Sequence, residues 1–148
     1  MITSYSIARN EIFGQLNIVK PALATLLGYA PKIIYQGVES SDKMPTDGLW
    51  IRASMVTVDE SQATLRDDNG RRYNTDGIFF AQIFIPKVPV EMYDKGVKTA
   101  EIIKNAYRGK QTESCIWFNR VRIQDNIPSE SAWFRLNVVA EYQYDEIG

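Results

Sequence analysis

The sequence predicts an α+β fold, with one antiparallel or mixed β-sheet and two helices packed on one of its faces. Residues 7–29 and 90–108 repeat apolar side chains at helical spacing, whereas 49–58, 78–85, 114–124 and 132–144 alternate or run apolar as strands do. The order helix, strands, helix, two strands shows no internal repeat and no compositional break, so 1–148 reads as a single domain. With 148 residues, 45% of them hydrophobic and 24% charged, the chain carries enough apolar surface to close a core without disulfides.

In the first helix, Ile12, Phe13, Leu16, Val19, Leu23, Leu26 and Leu27 recur at steps of three or four. Ser4 or Ser6 suits its start, and Gly28 with Pro31 its stop. Pro21 lacks an amide donor and crowds the preceding turn, which predicts a kink or a division near Lys20. KIIYQG (32–37) is β-branched and aromatic and reads as a strand, followed by a polar loop over 39–48. LWIRASMVTV (49–58) alternates and reads as the next strand, with 61–66 expected to return as its hairpin partner across Asp59 and Glu60. DDNG (67–70) is a turn signal, and 74–77 reads as a further reversal.

IFFAQIFI (78–85) is nearly all apolar, as in a strand covered on both faces, so it belongs at the centre of the sheet. Pro86 and Pro89 end it. The second helix should turn Tyr93, Val97, Ala100, Ile103 and Tyr107 inward and Lys95, Lys98, Glu101 and Lys104 outward, closing at Gly109. Residues 114–124 and 132–144 form the last strands, the second with Phe134, Leu136, Val138, Ala140 and Tyr142 on one side. The polar linker 125–131 with Pro128 suits an antiparallel connection. The long polar segment 59–76 is expected to protrude as a β-hairpin.

Chemistry is sparse. Seventeen basic against 18 acidic residues give no field that would draw nucleic acid or an anionic membrane. There is no histidine, which removes the commonest general base and metal ligand, and the single cysteine, Cys115, cannot form an internal disulfide. A nucleophilic Cys115 would lack an imidazole partner, so a structural thiol is the simpler reading. Neither GxGxxG nor GxxxxGK[ST] occurs, and the acidic residues 59–68 lack the spacing of a calcium loop. A pair of remote carboxylates remains open in principle, but no pair is singled out. No cofactor and no metal are expected. Arg9 and Glu11 interrupt the N-terminal stretch where a signal peptide needs an apolar run, and no segment has the length of a membrane span, so the protein is expected to be cytoplasmic. Trp50, Trp117 and Trp133 fall on three different strands, where they serve either core packing or the anchoring of a protein interface. The basic side of the second helix with Arg108 and Lys110 is either solvated or set against an acidic partner.

Taken together, the helix through Leu27, KIIYQG (32–37), the loop ending in Pro45, GLWIRASM (48–55), TDGIFFAQIFIPK (75–87), the helix 90–108 and the closing strands ending in VVAEYQYD (138–145) resemble the phage tail terminator proteins of the lambda tail protein U type. The resemblance spans nearly the whole chain and rests on the order of elements with a few Gly, Trp and Pro landmarks; Pro21 inside the first helix departs from a straight family helix. It implies a hexameric ring that caps the tail tube in the virion, ends tail elongation and offers a surface to the head-side connector, with DNA passing only in transit and no membrane contact. Such a ring needs a heterologous interface made of two different patches. Interface candidates are Trp50, Trp117 and Trp133 with Arg66, Arg71 and Arg72, and candidates for an acidic channel lining are Asp59, Glu60, Asp67 and Asp68. The same scaffold also suits a head–tail connector or tail-completion protein, or a small-molecule binder with a cleft between helices and sheet.

Overall fold

The first helical stretch divides in two. In the computed structural model, which describes residues 4–37, 48–62, 72–125, 128 and 133–147, α1 (Tyr5–Ile18) starts at Ser4, whose hydroxyl oxygen accepts from the Ile7 amide. α2 (Lys20–Leu27) follows after Val19 with Pro21 in its first turn, where a missing N–H breaks no helical bond. The expected kink is therefore a full break. Gly28, at φ 82°, ends α2 in the left-handed conformation that glycine adopts without strain.

Among the described residues five strands form one mixed sheet: β1 (Lys32–Tyr35), β2 (Trp50–Gln62), β3 (Arg72–Pro86), β4 (Trp117–Gln124) and β5 (Trp133–Ile147), in the order β1-β2-β3-β5-β4. β1 runs parallel to β2, and all other neighbours are antiparallel. β3 is central, as its apolar run requires. α3 (Met92–Tyr107) connects β3 to β4.

Period-two alternation separates the two faces of the sheet. Ile51, Ala53 and Met55 of β2 lie in register with Ile83, Ala81 and Phe79 of β3, and these with Leu136, Val138 and Ala140 of β5, all buried. The helices close this face. Phe13 of α1 meets the Phe79 ring at 6.1 Å between centroids, and Tyr107 of α3 stacks on it at 4.7 Å. Ile12, Leu16, Leu23, Leu27, Ala100 and Ile103 complete the same core.

Several expectations need correction. β2 does not fold back at Asp59; it continues through Glu60 to Gln62, paired with β3 as far as Tyr73. A polar strand end satisfies its backbone on its neighbour as well as an apolar one does, so composition alone did not reveal it. Of the expected return strand 61–66 only Ser61 and Gln62 are described, and they belong to β2; 63–66 and the turn at 67–70 lie outside the described residues, as does most of the 39–48 loop. No reversal occurs at 74–77, which is β3 strand. The hairpin expected of 59–76 is thus the far end of the sheet, flanked by β5, which runs on to Ile147. β4 starts at Trp117, because Cys115 sits at φ 61° in a turn where its amide donates to the Thr112 carbonyl at 2.9 Å. On α3 the buried stripe includes Met92, Gly96 and Thr99, while Tyr93 is 41% exposed and meets Phe134 edge-on. Gly96 allows this rotation, since a Cβ there would lie 2.2 Å from Ile85 Cδ1.

Candidate functional site

The face of the sheet opposite the helices has its own aromatic centre. Trp50, one step out of phase with Ile51, lies in register with Phe84, and the two rings stack at 4.0 Å with 4° between planes. Trp133 approaches Trp50 edge-on at 6.3 Å. Arg52 places its guanidinium 5.6 Å from the Trp50 ring centre and 5.4 Å from that of Phe84, and Arg135 lies 5.6 Å from Phe84 on the other side. These flat cations roof the rings, which is consistent with Trp50 and Phe84 being only 4% and 3% exposed on a face without helices. The Trp50 indole N–H and the Asn137 carbonyl oxygen are buried and make no hydrogen bond among the described residues.

Toward the far end of the sheet this face becomes polar. Arg72 bonds the Asp145 carboxylate, through Nε at 2.9 Å and also through Nη2, and Asn74 Nδ2 donates to its other oxygen at 2.8 Å. Gln143 Nε2 in turn donates to Asn74 Oδ1 at 2.9 Å. Burial alone would raise the Asp145 carboxyl, but the bonds from Arg72 and Asn74 outweigh it and hold the group below the usual aspartate value. At the β4 edge, Arg122 Nη1 pairs with Glu141 Oε2 at 3.1 Å. Arg120, Arg122 and Asn119 border a groove of about 840 Å³ together with Arg108 and Gly109 at the end of α3.

Of the interface candidates, the fold brings Trp50 and Trp133 together and ties Arg72 into the sheet through Asp145. Trp117 stands apart, half-buried in the cross-strand row Asp59, Asp76, Gln143, Trp117. Arg66, Arg71, Asp67 and Asp68 lie outside the described residues. Asp59 and Glu60 are exposed and, as successive strand residues, point to opposite faces of β2. Sequence reasoning missed Phe84, Arg52 and Arg135. The available signal was the alternation Trp50, Arg52 and Trp133, Arg135, which sets a cation two residues from a ring on one face.

Among the described residues, neither face gathers a reactive cluster. Among the described residues no group of three metal-ligating side chains converges. Burial pushes the Tyr107, Tyr142 and Tyr144 hydroxyls above the usual tyrosine value, the direction that keeps them protonated and unreactive as bases. No described helix is long and apolar enough to cross a membrane.

No family model and no curated protein matches the chain. Among solved structures, one without a functional description is similar over 96% of each chain, with a TM-score of 0.66 and 13% identity. A second, from the virion of a native gene transfer agent particle, is similar over 98% of this chain and 100% of its own length, with a TM-score of 0.50 and 18% identity. At such identities the likeness is one of fold, and it extends over nearly the whole of each chain.

Proposed function

We propose that this chain is a structural protein of a phage-like virion, and within it the tail terminator: a hexameric ring that caps the tail tube and receives the head-side connector. The observation that carries the reading is the end-to-end likeness to a chain of a gene transfer agent virion. The order of landmarks that resembles tail terminators, from KIIYQG to VVAEYQYD, supports the finer assignment. The physical features agree with a part that works by shape. Arg72, Asn74, Gln143 and Asp145 are engaged in cross-strand bonds, burial keeps the Tyr107, Tyr142 and Tyr144 hydroxyls protonated, and the second sheet face carries guanidinium groups laid over aromatic rings, residue types enriched where proteins meet. On this reading the partners are other copies of the chain, the tail tube protein and the connector, with DNA only in transit, and the chain has no catalytic role.

Disruption of its gene, followed by electron microscopy of the particles, tests the proposal. The expected outcome is filled heads separate from tails of irregular length, with a tagged chain found at the head-proximal end of the tube in the wild type. Tails of normal length with the chain on the head instead would assign it to the connector. Normal infectious particles lacking the chain would overturn a virion role altogether.

A further inference from the structure

Among the described residues, two stretches of the sheet's outer edges have no neighbouring strand, on opposite sides of the sheet. β1 covers β2 only over 50–53. Gln36 extends this cover by one step, its amide donating to the Ala53 carbonyl at 2.9 Å and its side-chain oxygen accepting from the Met55 amide at 2.8 Å. Beyond it, residues 56–61 have no described strand on their outer side, and Val56 and Val58 there are 52% and 61% exposed. At the other end of the strand order, the described residues bridge β4 on its outer side at Gln111 and Trp117 alone, and no described strand lies outside 118–124. Open edges carry unpaired backbone donors and acceptors and pair readily with another strand.

The two edges complement each other in charge and in height. The open stretch of β2 carries Asp59 and Glu60, and that of β4 carries Arg120 and Arg122. Among the described residues Asp59, Glu60 and Arg120 have no ion pair, and neither does Arg108 beside the groove. Register links Val56 through Ile78 and Glu141 to Arg120 in one row, with Asp59 in the next row on the same face. The pairings also make β2 and β4 antiparallel to each other. Rotation about an axis along the strands therefore sets β4 of one copy antiparallel to β2 of the next without a large axial shift, and puts Asp59 diagonally across from Arg120.

We infer that the open acidic edge of β2 in one copy pairs with the open basic edge of β4 in the next, Asp59 against Arg120, so that the sheets of neighbouring copies become continuous. This rests on the self-assembling virion reading and supplies its subunit contact. The contact uses two different patches, as a closed ring requires. It gives Asp59 and Glu60 a place between subunits and not on a channel wall.

Charge exchange in the full-length chain tests it, read by sedimentation velocity and native mass spectrometry. Asp59→Lys and Arg120→Glu are each expected to weaken self-association by about tenfold or more, through like charges set side by side. Both sites are exposed, and unchanged circular dichroism checks the fold. Mixing the two assembly-deficient variants is expected to restore assembly, because each then offers the other an intact or an exchanged pair and copies alternate around the ring. Assembly that survives both single reversals, or that fails to return on mixing, overturns the contact and leaves the ring reading standing. A wild-type chain that stays monomeric at every concentration, and beside tail tubes, overturns both.

Discussion

Gly77 sits between two neighbours that leave no room for a side chain. A Cβ there would lie 2.2 Å from the Tyr142 hydroxyl oxygen and 2.7 Å from the Val56 carbonyl oxygen, the second of which is backbone and cannot swing away. Gly77→Ala is therefore expected to destabilise the protein by about 2–3 kcal/mol, seen as a lower urea midpoint. Gly14 provides the contrast, because a Cβ in its place on α1 would meet nothing within 4 Å. Gly14→Ala is expected to stabilise by about 0.5–1 kcal/mol in the same titration. Asp145 connects a single residue to pH. Its folded carboxyl lies below the ordinary value of 3.8, so the stability it contributes is fully present above that pH and is lost as pH falls through the lowered folded value. Arg72, its partner, is 52% exposed, which screens the pair and keeps the contribution small. Asp145→Asn should lower the melting temperature at neutral pH, and the gap from wild type should close in acid, where Asp145 is itself neutral. A gap that persists unchanged to the lowest pH would show that the charge contributes nothing.

At the scale of elements, Tyr107 pins α3 to α1. Its hydroxyl donates to the Ile12 carbonyl at 2.6 Å, and its ring lies between Phe79 and Phe118 with no exposure. Tyr107→Phe keeps the ring and is expected to cost about 1 kcal/mol, since the Ile12 carbonyl retains its helical partner. Tyr107→Ala opens a cavity between the helices and the sheet and should cost about 3–5 kcal/mol. Chemical denaturation of the two variants separates the bond from the packing. Both helical regions and the central strand were legible because their apolar periods are long, and Pro21 and Gly28 marked the break and the stop. The strand ends were not. Asp59–Gln62 has the composition of a turn, and only its pairing with β3, itself backed by β5, makes it strand. Gly77 read as a reversal because a glycine needed for the close approach of Tyr142 looks the same in sequence as one needed for a turn. The inward face of α3 was misplaced at Tyr93 because the missing side chain of Gly96, and not an apolar one, sets how close that helix comes to Ile85.

For the whole molecule, the tryptophans were legible as surface or core anchors, but which of them share a site depended on register. Trp50 and Trp133 meet because Phe84 and Pro86 carry them to adjacent rows, whereas Trp117 is held apart at the β4 edge. Open edges are still less visible in sequence, since a strand becomes an edge only through the order of all five. That order has a consequence for mixed assemblies. A copy bearing Asp59→Lys keeps a working β4 edge, so it still joins the β2 edge of a wild-type copy, but its own β2 edge admits no further neighbour. Each such copy ends a growing arc instead of merely staying out of it. Added to wild type in equal amount, it should reduce closed assemblies to well under half their level without it and should accumulate short arcs in native mass spectra. An isologous dimer using one patch twice behaves differently: the reversed copies would be rejected by wild type, and the wild-type dimers would persist in proportion to their share. Retention of complete assemblies in that proportion would rule out the head-to-tail contact, because a chain closed through two different edges cannot tolerate a member that has lost one.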